Sequence, residues 1–254
     1  MDFRSANYDF SNTGEPSMNL HTKNMVESAQ DKWEMWNAVG VTARADILKK
    51  WAFELAEDPE LGFVCTKMVL YQIKQALSLI ATEQNMPGPT GESNVLYTTG
   101  RGLFVVRMSV EASFCGLVAQ ISAALVTGNC LLLCLPKTHQ AMADKLLNAL
   151  LLAGVPSAVV QISTPAISDE LMQDAVLAGV AYVGNEQECI AINRKLAASP
   201  GLLAQLVAET DLEKLTTLTD SHFILRYITE KVRTINVTAV GGNATLLELG
   251  CGDL

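Results

Sequence analysis

The sequence predicts an α/β fold: a Rossmann-like doubly wound parallel sheet with N-terminal helices and a projecting β-flap. Three observations point to it. Residues 100–136 run GRGLFVVRMSVEASFCGLVAQISAALVTGNCLLLCLP. Two short apolar, β-rich runs, 103–108 and 130–135, flank Cys115, Val118, Ala119, Ala123 and Leu125 at roughly helical spacing, and Thr127-Gly128-Asn129 supplies the stop. Strand, apolar helix and strand in that order make a right-handed crossover with both strands buried. Downstream of Pro136 the chain repeats the alternation of strand and helix, the pattern of a doubly wound sheet. Finally, 232–237 alternates in character and precedes a flexible Gly241-Gly242 turn, which suits a strand pairing away from the core.

The elements follow in order. Residues 1–20 carry Ser, Asn, Gly and Pro with little periodicity and form an N-terminal arm. From about Thr22 the pattern is helical, with Met25, Ala29, Trp33 and Trp36 on one face. A second helix opens at 43–48 and continues through Trp51, Leu55 and Ala56. A third spans about 61–84, with Val64, Met68, Ile73, Leu77 and Ile80 inward, until Pro87-Gly88-Pro89-Thr90-Gly91 breaks it. Residues 94–98 are read as a strand. Beyond the crossover, helix is expected at 141–153, strand at 158–162, helix at 168–177, strand at 180–183 and helix at 186–198, followed by a last apolar run at 203–207. Residues 222–230 look helical and 232–237 extended, with Val232, Thr234 and Asn236 opposing Arg233, Ile235 and Val237. The best internal pairing partner for that strand is 94–98. A two-stranded ribbon is marginal alone, so it wants a partner surface.

Composition narrows the function classes. A chain of 254 residues suits one large domain, or one with an appendage, and a hydrophobic content of 49% is ample for a core. No apolar run is suited to membrane insertion. A net charge of −9 argues against nucleic acid, which needs a basic face. The opening MDFRSANYDF has no basic n-region or apolar h-region, so a cytoplasmic location is expected. Cys65, Cys115, Cys130, Cys134, Cys189 and Cys251 lie mostly inside apolar segments, the usage of a reducing compartment.

Several stretches carry a family resemblance: PGPTGESN (87–94), GRGLFV (100–105), AALVTGN (123–129), LLLAGVPSAVVQ (150–161), AGVAYVG (178–184), INRKLAA (192–198) and LVAET (206–210). With the tail VRTINVTAVGGNATLLELG (232–250), they make the chain resemble the aldehyde dehydrogenase superfamily. Within it, the resemblance is to the Δ1-pyrroline-5-carboxylate dehydrogenase region of the bifunctional proline utilization A family. It covers nearly the whole chain from about residue 25, and the tail and INRKLAA are its specific parts. The layout it implies is an arm at 1–20, a Rossmann-like aldehyde-dehydrogenase-type domain at 21–218 with a flap strand near 94–101, and a flap strand with tail motif at 219–254.

The same resemblance implies catalytic parts that are not matched here. Active relatives place a nucleophilic cysteine beyond the glutamate of an ELGG- or ETGG-like motif, within a catalytic domain. Glu209 holds the glutamate position, but Asp211-Leu212 replace the glycine pair and no cysteine lies between Cys189 and Cys251. A thiohemiacetal requires a thiolate beside the nicotinamide, and no residue is placed for one. The catalytic domain is therefore expected to be absent. Glu209 is a vestigial catalytic candidate, with ion pairing or capping as its alternative role. Residues 110–114 stand where the family has a PWNFP-type motif, so the oxyanion amide is lost. The ribose-binding lysine is matched by Cys134 or Leu135, and Lys137 is either a substitute or a solvated surface lysine. Gly184-Asn185-Glu186-Gln187 matches a GSTE-type turn. Its helix N-terminus is able to receive a pyrophosphate, but Glu186 and Glu188 oppose one. Gly184, Asn185 and Lys137 are thus vestigial cofactor candidates. No cofactor is expected, with NAD as the alternative.

The other cysteines and histidines carry weaker signals. Cys130 and Cys134 read as core packing, and His21, His139 and His222 are too scattered for a metal site or triad. Partner docking is assigned to Arg233, Ile235, Val237, Gly241, Gly242, Asn243, Leu246 and Leu247. Some members of the resembled family carry an extra inactive dehydrogenase-like domain whose flap and tail cover the dehydrogenase module. The expected function is accordingly non-catalytic and linked to proline catabolism, through a homo-oligomer (a dimer) or a proline utilization A type partner. An active NAD-dependent 1-pyrroline-5-carboxylate dehydrogenase is the alternative.

Overall fold

The computed structural model describes residues 20–89, 91–173, 177–199 and 203–236. Three helices come first: α1 (Leu20–Ala38), α2 (Val41–Ala56) and α3 (Gly62–Leu79). Ala29 and Trp36 are buried on α1, while Trp33 is half-buried. Trp36 also donates its indole N–H to the Leu125 carbonyl at 3.1 Å. The inward face of α3 matches the sequence expectation at Ile73 and Ile80, which are buried, and at Met68 and Leu77, half-buried against the core, but not at Val64. It is formed by Cys65, Val69, Ile73, Ala76 and the buried amide Gln72, whereas Val64 is 65% exposed. Val64 and Cys65 are adjacent in an apolar segment, and only packing on the neighbouring helices chooses between them.

α3 also ends earlier than expected. Ile80 leaves helical geometry at φ −132, and Gln84–Met86 becomes β1 instead. β1 pairs antiparallel with β2 (Glu92–Gly100), and the far side of β2 carries β8 (Ile228–Asn236). The predicted pairing of the two flap segments is present, with Asn94 opposite Thr234 and Leu96 opposite Val232. It extends to Gly100 opposite Ile228, and the flap has three strands rather than two. The helix expected over 222–230 is only a 3-10 turn, Phe223–Tyr227. Ladder bonds to β2 along the whole of β8 replace any continuation.

The core sheet is parallel, formed by β3 (Leu103–Met108), β4 (Cys130–Leu133), β5 (Val160–Ile162), β6 (Leu177–Val183) and β7 (Gln205–Glu209) in the order β5-β4-β3-β6-β7. The crossover helices are α4 (Phe114–Val126), α5 (Gln140–Ala153), α6 (Pro165–Leu171) and α7 (Glu186–Ala198). The chain winds outward through β3, β4 and β5, then returns beside β3 and winds out the other way. Right-handed crossovers make that order a doubly wound sheet. α6 stops at Leu171 rather than 177; Thr164 caps it and Pro165 opens it. Cys134 lies just past the end of β4.

α4 is the hub, buried from Gly116 through Val126. Leu117, Ile121 and Leu125 are each fully enclosed, contributing about 2 kcal/mol apiece. The Thr127-Gly128-Asn129 stop does more than end this helix. Gly128 takes φ 96, and a Cβ at Gly100 would come within 2.5 Å of the Gly128 oxygen. Asn129 accepts from the Arg101 and Gly102 amides at 2.7 and 3.1 Å, and donates to the Ala124 and Tyr227 carbonyls at 3.1 and 2.9 Å. One turn therefore locks the end of α4 to both strand roots of the flap.

Candidate functional site

In a doubly wound sheet the ligand crevice opens at the carboxyl ends of the strands, where the winding direction reverses. That point falls between β3 and β6. A hollow of about 280 Å³ lies there, lined by residues following β3 (Ser109, Val110, Glu111), β4 (Cys134, Pro136) and β6 (Asn185, Glu188). Arg107, from β3, is part of its lining. Its guanidinium donates to Ser168 Oγ at 3.0 Å, Asp169 at 2.8 Å and Glu188 at 2.8 Å. Lys195 of α7 reaches the same Asp169 oxygen at 2.9 Å. Tyr182 donates its hydroxyl to Glu188 at 3.1 Å. The network therefore clips α6 and α7 together over β3. Burial works against the Asp169 carboxylate, but Lys195 and Arg107 outweigh it and hold its pKa below the usual range. Burial, then the Glu188 charge, pushes the Tyr182 phenol up.

Of Gly184 and Asn185, Asn185 lines this crevice and Gly184 lies just before it at the end of β6. Asn185 Oδ1 accepts from the Glu188 amide at 2.9 Å, so the residue caps its own helix. Its Nδ2 is held by Glu111 at 2.9 Å, and that bond is the first cause of a lowered Glu111 pKa. A Cβ on Gly184 would sit 2.2 Å from the Tyr182 hydroxyl and 2.6 Å from Ser109 Oγ. Lys137 is exposed in the 3-10 turn Lys137–His139 and does not line the hollow. Cys134 does, with its thiol pushed up to about 12 by burial.

These residues do not fit a dinucleotide. The hollow, about 280 Å³, is at the small end of ordinary ligand pockets, about 300–1,000 Å³. Asn185 and Glu188 have taken the amide that a phosphate would use, and Glu111 and Glu188 put negative charge where one would sit. Arg107, which lines the crevice, is already paired with two carboxylates.

Glu209 is buried with 1% exposure at the end of β7. Its carboxylate accepts from the amides of Asp211 at 2.9 Å, Thr217 at 2.7 Å and Leu218 at 3.1 Å. The geometry is that of a capping carboxylate, which holds the loop after β7 against the sheet. Among the described residues no cluster of three His, Cys, Asp or Glu side chains is arranged to hold a metal, and no helix is long and apolar enough to cross a membrane. His139 packs edge-on against Phe114, and His222 is exposed beside Ser221; the side chain of His21 lies outside the described residues.

On the flap, Arg233 bonds Glu83 at 3.0 Å and lies over the Tyr97 ring, and Ile235 is 51% exposed. Val237, Gly241, Gly242, Asn243, Leu246 and Leu247 lie outside the described residues, as does the arm before Leu20. The Arg107 cluster was missed by sequence reasoning. Its one signal was an arginine inside the otherwise apolar strand LFVVRM.

No family model matches the chain. The bifunctional protein PutA of Rhizobium meliloti is 29% identical over 177 residues, covering 68% of this chain and 13% of the relative. The PutA of Escherichia coli K12 is 26% identical over 213 residues, covering 83% and 14%. A substituted form of proline utilization A from Bradyrhizobium japonicum superposes with TM-score 0.67 at 28% identity, over 75% of this chain and 22% of that one. This chain is homologous to proline utilization A. It spans about an eighth to a seventh of the curated relatives it matches. A γ-glutamyl-γ-aminobutyraldehyde dehydrogenase from Burkholderia cenocepacia has the same fold, with TM-score 0.65 at 15% identity over 76% of this chain. The Rossmann-like α/β fold is thus shared with the proline utilization A structures and with the aldehyde dehydrogenase.

Proposed function

We propose that this chain is a non-catalytic, aldehyde-dehydrogenase-like module of proline catabolism that works by assembly, through its flap, with a proline utilization A type enzyme or a second copy of itself. One observation carries the reading. The chain leaves β7 at Glu209 and re-enters the flap at Ile228, and residues 210–227 pack as a loop with Leu215, Leu218, Phe223 and Ile224 buried. The resembled enzymes have their catalytic domain and nucleophilic cysteine in that interval. Here no cysteine lies between Cys189 and Cys251.

The crevice supports the same reading, because its Arg107 is already engaged by Asp169 and Glu188 and its lining carries the Glu111 and Glu188 carboxylates. The setting in proline catabolism rests on the bifunctional relatives, and a cytoplasmic location belongs to the same proposal. The test is NADH production from glutamate semialdehyde by the purified chain, alongside calorimetry with NAD. We expect no turnover, and no saturable binding near millimolar NAD, about −4 kcal/mol. Turnover abolished by a single Cys→Ser change would instead establish an active NAD-dependent 1-pyrroline-5-carboxylate dehydrogenase.

A further inference from the structure

The loop over residues 210–227 carries a nucleophile beside a base, and the proposed assembly role uses neither. Ser221 Oγ and His222 Nδ1 stand 3.0 Å apart. With the imidazole proton on Nε2, the hydroxyl donates to Nδ1, the arrangement that activates a serine. These adjacent side chains meet because of the turn beneath them. Asp220 Oδ1 accepts from the His222 amide at 2.7 Å, and the Asp220 carbonyl accepts from the Phe223 amide at 3.1 Å. The turn is anchored on both sides. Tyr71 donates to the Thr219 carbonyl at 2.6 Å and Gln72 to the Leu218 carbonyl at 2.8 Å, while Phe223 and Ile224 are buried just after the pair. Asp220 Oδ1 also lies 3.7 Å from Nδ1, so a proton that arrives on that nitrogen gains a carboxylate neighbour. The His222 and Asp220 side chains are 67% and 54% exposed, which leaves the pair open to a reagent from solvent.

We propose that Ser221 is a self-acylation site for an activated acyl donor, with His222 as its general base. Oγ attacks the donor's carbonyl carbon while its proton passes to Nδ1. The tetrahedral intermediate then collapses, the bond from that carbon to the leaving group breaks, and the leaving group takes the proton from Nδ1. One hydroxyl and one donor become a serine ester and the protonated leaving group, with nothing oxidised or reduced. Water surrounds an exposed pair, so the donor must carry a weakly basic leaving group. The step modifies each chain once and is independent of the crevice and of the flap.

Peptide mapping of the full-length protein tests this. The chain is incubated with p-nitrophenyl acetate, digested with pepsin in acid, where esters survive, and analysed by mass spectrometry. The exposed Ser93 and Ser157 serve as internal references. Acetylation should concentrate on Ser221, at least about tenfold above both references, and hydroxylamine should remove it as it removes an ester. In His222→Gln the Ser221 labelling should fall at least about tenfold, since positioned general bases are worth about 100- to 10,000-fold. Circular dichroism should be unchanged, because the substituted side chain is exposed. Ser221 labelled no more than Ser93 and Ser157, or labelled equally in His222→Gln, would overturn the proposal.

Discussion

Arg44 is a buried cation whose partners are carbonyl oxygens. Its Nε donates to Val126 at 3.0 Å and its Nη1 to Trp36 and Asn37 at 2.8 Å each, with 3% of the residue exposed. Those carbonyls end α4 and α1, where helix dipoles favour positive charge. Burial nonetheless lowers its pKa to about 10. Two effects compete in Arg44→Met: relief of a desolvated charge, and the Val126 and Trp36 carbonyls left without donors, since Asn37 keeps the Gly40 amide. Each orphan costs about 1–3 kcal/mol, so the second should win by about 3 kcal/mol, read as a lower urea midpoint at constant m. An unchanged midpoint would mean that the cation's desolvation cancels its bonds. Glu209 yields a parallel test. Glu209→Ala strips the acceptor from three amides and should destabilise the fold by about 3 kcal/mol in the same measurement, the signature of a structural carboxylate.

At the scale of elements, ion pairs join α6, α7 and β3 beside the crevice. Asp169 has a folded pKa below its unfolded value, because Lys195 and Arg107 outweigh burial. A depressed carboxylate stabilises fully above its unfolded pKa, about 3.9, and loses that contribution as pH falls through the folded value. The clip between α6 and α7 should therefore hold through neutral and mildly acidic pH and release only below about pH 4. Amide hydrogen exchange over α6 and α7 would detect it. Release already near pH 6 would point to a histidine instead of Asp169. The mouth of the crevice should hold in the same window, since the Asn185 bond lowers Glu111 as well.

At the scale of the molecule, the flap sets the assembly prediction. Among the described residues β8 pairs with β2 along one edge, and its Val232 and Ile235 are 59% and 51% exposed. A strand with a free edge and apolar side chains is a template for another chain. Full-length protein should be a dimer or larger by light scattering, and truncation after Thr229 should weaken that assembly. Truncation keeps Tyr227 and Ile228, which anchor to Asn129 and β2, so circular dichroism should still report a folded sheet. Loss of the fold would place β8 within the core; unchanged assembly would remove the flap's docking role.

Much of this architecture was legible in the amino-acid sequence. The crossover around α4, the glycine turn after it and the pairing of 94–98 with the strand from 232 follow from local apolar periodicity and turn chemistry, which short stretches carry by themselves. Other features were decided only in three dimensions. Val64 and Cys65 are adjacent apolar residues, and packing on neighbouring helices determined which one is buried. Gln84–Met86 has no strong preference of its own and became a strand because β2 offered an unpaired edge. Arg107, Asp169, Glu188 and Lys195 stand far apart in the chain, and no spacing rule joins them. Long-range winding brings them to one switch point, where the carboxylates of Asp169 and Glu188 compensate for the partial burial of Arg107.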